Sequence, residues 1–396
     1  MKKSISILSI SALVISLLTS CYHVPSSSVS FKPVTGDLRI GEYDGLLKGK
    51  SVAVVANQTS MAGKVHLVDT LVSRGVRIEV IFAPEHGFRD LADAGESVSD
   101  GRDKKTGIKI ISLYGNHNKP TAADLEGIDV VIFDIQDVGT RFYTYISTLS
   151  LVMEACAENG KKLIVLDRPD PNGFYVDGNI LDTAYRSFVG MHPVPVVHGM
   201  TTGEYARMVN GEGWLKGGSH CDLTVIPCIN YTHSTYYELP VRPSPNLPNQ
   251  NAVWLYPTLC FFEGTSLSCG RGTPYPFQVF GSPDMPDTGF SFTPRSGPGS
   301  KFPLYKDKLC FGKDLRDASK IGMVPVPRLN LKWIIDAYRA YPDKTKFFNS
   351  YFDTLAGGPL LRQQIEKNMS EQEIRASWLP GLEKFKKTRA KYLIYL

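Results

Sequence analysis

The sequence predicts an α/β protein: a parallel sheet covered by helices on both faces, followed by a smaller and less regular α+β region. Three observations carry this expectation. Short, almost unbroken apolar runs recur between residues 51 and 167, amphipathic stretches separate them, and Pro, Gly and Ser become dense beyond about residue 240. Residues 51–56 (SVAVVA) read as a buried strand ending at Asn57. Residues 66–74 then carry Leu67, Val68 and Leu71 on one helical face, with Gly75 as the stop. Further strands are expected over 76–82, 108–113, 129–134 and 162–167, with a helix over about 143–159 between the last two. Thr201-Thr202-Gly203-Glu204 has the pattern of a capping box opening a helix, and 222–227 is a further strand candidate. The C-terminal part ends in helices over 331–340, 359–368 and 370–392, the last broken near Pro380. Domains are therefore expected over 45–225 and 226–396.

Each predicted strand of the first domain ends in polar groups: Asn57-Gln58, Glu85-His86, Ser112 and Tyr114, Asp134 with Gln136-Asp137, and Asp167-Arg168. Ligands of open α/β sheets bind just beyond the carboxyl ends of the strands, so these termini predict an acid-lined cleft. The segment Phe82-Ala83-Pro84-Glu85-His86-Gly87-Phe88 is the most informative of them. A strand stops at a proline, a carboxylate and an imidazole follow, and a glycine lets the backbone turn. Glu85 suits a general acid, because a strand end under a loop can be dry enough to raise its pKa. His86 is a supporting residue or an orienting group. Asp134, Asp137, Arg141 and Tyr143 bring carboxylates, a guanidinium and a phenol within ten residues. Arg168 is placed to neutralise Asp134 or Asp167, so at least one of these carboxylates is expected to be structural.

The chain's start bears on its compartment. Lys2 and Lys3 precede an apolar run, and Leu18-Thr19-Ser20-Cys21 fits a lipobox. A lipoprotein signal peptide over 1–20, lipidation of Cys21, a flexible tether over 21–44 and a membrane-anchored place in the cell envelope are expected. Contact with a membrane is expected through Cys21 alone, since no later segment is long and apolar enough to span one. Against 39 acidic residues the chain has 44 basic ones, a net charge of +5, with no basic-aromatic stripe of the kind that grips nucleic acid. No phosphate-type glycine loop follows the first strand, so no nucleotide cofactor is expected. No metal is expected either, because His192 and His198 form no short ligand spacing with His86. Cys156, Cys221, Cys228, Cys260, Cys269 and Cys310 read mostly as buried apolar residues, with Cys221–Cys228 and Cys260–Cys269 as possible bridges.

In the second region, four prolines between 240 and 248 fix an extended backbone that presents Asn246. Glycines surround Arg271 in Cys269-Gly270-Arg271-Gly272-Thr273, with Glu263 as a nearby acceptor. An arginine so placed reads a carboxylate with its fork, or anchors its own loop to backbone carbonyls.

Seven motifs, taken in order, resemble a known family. They are Pro84-Glu-His-Gly87, Ser112-Leu-Tyr-Gly115, Phe133-Asp-Ile-Gln-Asp-Val-Gly-Thr-Arg-Phe-Tyr-Thr-Tyr145, Leu166-Asp-Arg-Pro169, His198-Gly-Met-Thr-Thr-Gly-Glu204, Pro243-Ser-Pro-Asn246, and Phe262-Glu-Gly-Thr265 with Gly270-Arg-Gly-Thr273. Together they resemble DUF1343, which includes the exo-acting β-N-acetylmuramidases of the NamZ type. The resemblance covers nearly all of 45–396. It implies a Rossmann-like catalytic domain, an auxiliary domain, and release of N-acetylmuramic acid from the non-reducing end of muramyl-glucosamine fragments of peptidoglycan. Carried over by motif, Glu85 is the catalytic acid, with Asp137 and His86 as further catalytic candidates. Asn57, Arg141, Tyr143, Asn246, Glu263 and Arg271 are candidates for binding substrate, and Arg141 or Arg271 would meet the lactyl carboxylate. Asp170 departs from the family, which more often has asparagine there. The competing classes are a non-catalytic lipoprotein that captures wall sugars and a metal-dependent amide or ester hydrolase.

Overall fold

The first strand, β1 (Ser51–Ala56), is buried along its whole length and lies at the middle of the main sheet. The computed structural model describes residues 32–89 and 100–396. The expected signal peptide, Cys21 and residues 21–31 of the tether lie outside the described residues.

A small hairpin, β2 (Met61–Ala62) and β3 (Val65–His66), leads into helix α2 (Leu67–Ser73); a one-turn helix, α1 (Asp44–Leu47), precedes β1. The chain continues through β4 (Arg77–Ala83), β5 (Gly101–Arg102), β6 (Lys109–Ser112), β7 (Val130–Asp134), α3 (Tyr145–Glu158), β8 (Lys162–Leu166), α4 (Thr202–Gly211) and β9 (Asp222–Ile226). The sheet order is β5-β6-β4-β1-β7-β8-β9, parallel throughout except for the short antiparallel edge strand β5. The six parallel strands thus have the doubly wound order of a Rossmann-like fold. The chain leaves β1 toward β4 on one side and returns to β7 on the other. The gap above β1 is therefore the topological switch point, where such sheets bind ligands.

Alternation along the strands sorts their side chains into two cores. Val52, Val54, Ile132 and Ile164 face α2, while Ala53, Val55, Phe133 and Val165 face α3 and α4. The second core runs on without a break into the C-terminal elements, and Pro33–Leu396 forms one compact unit. Those elements are α5 (Gln250–Leu259), an antiparallel sheet of β10 (Val279–Ser282), β12 (Cys310–Asp314) and β11 (Ser291–Phe292), then α6 (Leu331–Ala340), α7 (Tyr351–Ala356), α8 (Leu360–Glu366) and α9 (Glu371–Ala390).

Three expectations are corrected. Residues 33–44 are docked and are no tether: Val34 pairs with Ile229, the Gly36 amide donates to Asp167 O at 2.8 Å, and Tyr43 is fully buried. Gly36 permits this fit, since a Cβ there would stand 2.4 Å from Ile226 O. Helix α9 runs unbroken through Pro380. Its buried face of Ile374, Trp378, Leu382 and Phe385 continues on both sides of the proline, and packing outweighs one lost hydrogen bond. Neither suggested bridge exists. All six described cysteines are free and buried; Cys221 neighbours Cys156, and the Cys228 thiol donates to Asp167 O at 3.2 Å. The expected capping box at Thr201 and Glu204 is present on α4.

Candidate active site

Above the carboxyl ends of β4 and β6 lies a pocket of about 180 Å³. Its polar lining includes Glu85, His86, Tyr143, Thr144, Ser244, Glu263 and Arg271, and its apolar walls include Phe142, Leu247, Tyr256 and Phe277.

Glu85 is presented by a tight turn. The Gly87 amide donates to Pro84 O at 3.1 Å, and His86 and Gly87 adopt φ of 70° and 83°. Left-handed backbone at a histidine costs about 1–2 kcal/mol, and such strain concentrates at functional sites. Thr144 Oγ1 donates to Glu85 Oε2 at 2.9 Å. Thr144 is also the N-cap residue of α3, where its hydroxyl makes no cap bond. The hydroxyl that would ordinarily cap the helix instead orients Glu85.

Two phenols stand behind this carboxylate. Tyr143 Oη donates to Pro243 O at 2.7 Å, and Tyr143 and Tyr145 pack edge to face at 5.0 Å. Burial, the Tyr145 phenol, and the Asp137 and Glu85 carboxylates all push Tyr143 far above its ordinary pKa, so it stays a neutral hydrogen-bond donor.

The opposite wall comes from the C-terminal region. Arg271 Nε donates to Glu263 Oε1 at 2.5 Å, and the guanidinium lies 5.1 Å from the Phe277 ring centroid. The Cys260 and Cys269 thiols approach the same carboxylate at 3.8 and 4.0 Å. Burial works against the Arg271 charge, but Glu263 outweighs it and holds the pKa above the ordinary value. The terminal nitrogens of Arg271 have no protein hydrogen-bond partner among the described residues. Tyr351, the first residue of α7, also lines the pocket, and burial, Cys260, Glu263 and Glu85 push its phenol up.

Five of the nine residues read from the sequence as catalytic or substrate-binding thus line the pocket: Glu85, His86, Tyr143, Glu263 and Arg271. The other four stand elsewhere. Asp137 is buried behind the tyrosines, where burial and then Asp170 push its pKa well up. Asn57 is fully buried, with Oδ1 accepting from the Thr59 amide at 2.9 Å and hydroxyl at 2.6 Å. Asn246 donates to Gly299 O at 2.8 Å and braces the wall below Ser244. Arg141 is enclosed, giving its protons to Asn179 O, Val194 O and Leu355 O at 2.8–3.1 Å. Burial pulls its guanidinium down to about 9, so it serves as an internal staple and is not brought to the pocket. Thr144, Tyr256 and Tyr351 were missed as site residues. Thr144 carried a signal, a hydroxyl just ahead of an apolar helix; Tyr351 carried none.

The carboxylates at the ends of β7 and β8 are structural. Arg168 grips Asp134 with a fork of 2.7 and 3.0 Å, and a second carboxylate, Asp37, lies 3.4 Å away. Asp167 accepts from Tyr395 Oη, Thr201 Oγ1 and the Gly203 amide at 2.6–2.7 Å. No group of three or more His, Cys, Asp or Glu side chains among the described residues is arranged to hold a metal ion.

Comparison with known proteins matches residues 52–251 to the model of the N-terminal part of exo-β-N-acetylmuramidase NamZ, and residues 254–395 to that of its C-terminal part. The chain belongs to the NamZ family. The two matched parts meet at the start of α5. A curated relative, the peptidoglycan β-N-acetylmuramidase NamZ of Bacillus subtilis (strain 168), is 38% identical over 388 residues, 91% of this chain and 90% of the relative. Two crystal structures of DUF1343 family proteins from Bacteroides fragilis NCTC 9343 are similar to this chain. One is 47% identical with a TM-score of 0.85, the other 26% identical with a TM-score of 0.77; each match covers 92% of this chain and 99% of the other.

Proposed function

We propose that this chain is a glycoside hydrolase, an exo-β-N-acetylmuramidase that removes N-acetylmuramic acid from the non-reducing end of peptidoglycan fragments. The observation that carries this reading is one pocket, in a chain of the NamZ family, that joins Glu85 to the Glu263–Arg271 pair. In this reading Glu85, oriented by Thr144, gives its proton to the glycosidic oxygen as the bond to the anomeric carbon breaks. Water supplies the hydroxyl to that carbon, and its remaining proton returns Glu85 to the acid form. Arg271, aimed by Glu263, meets the lactyl carboxylate of muramic acid with its terminal nitrogens. Tyr143 and Tyr145 keep the floor of the pocket uncharged and firm.

The test is direct. Purified protein incubated with a β-linked muramyl-glucosamine disaccharide is expected to release free N-acetylmuramic acid and N-acetylglucosamine. Binding of the disaccharide without release would instead make it a capture protein. Lipidation at Cys21 and anchoring in the cell envelope are also proposed, on the Leu18-Thr-Ser-Cys21 pattern alone. Metabolic labelling with a fatty acid, lost in Cys21→Ala, tests that anchor.

A further inference from the structure

The loop between β11 and β12 is fastened to the segments that line the pocket. The Arg295 amide donates to Gly272 O at 2.7 Å, next to Arg271. Gly299 O accepts from Asn246, two residues after the pocket residue Ser244. Tyr305 Oη donates to Ser266 O at 2.9 Å. Pro303 packs so closely on Gly272, whose φ is 78°, that a Cβ there would stand 2.6 Å from the proline ring. A loop held at this many points keeps a definite shape.

On this frame Phe302 is 90% exposed, more than any other aromatic residue among those described. Leaving a phenyl ring in water forgoes the favourable burial of its apolar surface. A braced loop could turn such a ring inward, and this one does not. Exposed Lys306 lies four residues further on, while Arg295 is paired with Asp307 at 3.5 Å. An aromatic face with a cation on the same loop matches a sugar chain that bears carboxylates. The C–H face of a pyranose packs on the ring, and the ammonium group meets the acid.

When the terminal sugar fills the pocket, the remaining sugars must leave over neighbouring surface. We propose that the 295–305 loop is the platform for the leaving-group side of the substrate. Phe302 packs on a sugar beyond the scissile bond, and Lys306 attracts the lactyl carboxylate of the next muramyl residue. The platform rests on the muramidase reading of the pocket, and it makes the enzyme favour fragments longer than a disaccharide.

The test compares the muramyl-glucosamine disaccharide with the tetrasaccharide of two such units. Phe302→Ala is expected to lower kcat/KM on the tetrasaccharide about tenfold, mainly through KM. Inhibition by free N-acetylmuramic acid, which fills the pocket alone, should not change, nor should the thermal midpoint. Lys306→Ala should cost about twofold on the tetrasaccharide and nothing on the disaccharide. Wild-type turnover of both substrates with Phe302→Ala indistinguishable from it overturns the platform and leaves the muramidase reading standing. Weaker inhibition of Phe302→Ala by free N-acetylmuramic acid also overturns it, because the ring would then belong to the pocket. Failure of the wild type to cleave either substrate removes the muramidase reading and the platform with it.

Discussion

Glu85 and Asp134 end the two strands that flank β1, and the two carboxylates have opposite fates. Asp134 is wholly buried and gripped by the Arg168 fork from the next strand. Among the described residues the Glu85 carboxylate accepts one hydrogen bond, from Thr144, and it faces a pocket. The arginines repeat the contrast. Arg141 is enclosed and donates to three backbone carbonyls, whereas Arg271 commits Nε to Glu263 and lines the pocket. A polar group at a strand end is therefore a site candidate when the fold turns part of its hydrogen-bonding capacity toward a pocket. Where the fold satisfies that capacity, the group holds the fold together.

Five substitutions can break or sharpen this contrast. Glu85→Gln should lower kcat/KM on the disaccharide about 10³-fold with an unchanged thermal midpoint, as expected for loss of a general acid. Near-normal turnover would move the acid elsewhere in the pocket. Arg168→Met should do the reverse. Stability by urea unfolding should fall by about 3–5 kcal/mol as Asp134 loses its partner, while turnover per folded molecule stays near wild type. A loss of turnover with stability intact would bring the β7–β8 ends into the chemistry.

Asp170 is an intermediate case: buried, outside the pocket and without an arginine fork. Burial, first of all, lifts it from 3.8 to about 7, against the Asn172 amide and His233. The folded protein thus holds this proton more tightly than the unfolded chain does. Its contribution to stability is fully present below the unfolded pKa and is lost as pH rises through about 7. Asp170→Asn should stabilise the protein at pH 8 by about 2–4 kcal/mol and flatten the stability profile between pH 4 and 7. Urea midpoints at pH 5 and pH 8 measure this, and equal gains at both would show that the charge is not responsible. The smallest effect is expected for Arg271→Lys, a rise in KM of about tenfold with kcat nearly kept, since a point charge replaces a planar fork. The same substitution at Arg141 should cost stability and leave KM alone.

Much of the first half of this picture was legible. Continuous apolar runs marked β1, β4, β7 and β8, and the Pro84-Glu-His-Gly87 turn pointed to Glu85, which lines the pocket. Legibility failed where long-range partners decide. Nothing local distinguishes Arg141 from Arg271, or shows that Asn57 and Asn246 brace backbone. Helix α5 hid behind Pro257, and the sheet of β10, β12 and β11 is built from strands too short to show a period. The 21–44 tether was read from composition up to a point where backbone contacts, invisible in composition, already dock the chain.

Sequence by itself determined the α/β class, the polar character of the sheet's carboxyl edge and Glu85 as its most suspicious group. Those properties follow from local patterns, namely strand-length apolar runs and the turn chemistry that ends them. Tertiary structure alone decided which polar strand ends reach a pocket, because that depends on what distant segments bring to each. Asp134 and Asp167 receive Arg168, Thr201 and Tyr395. Glu85 receives Thr144 and an open space across from Glu263 and Arg271.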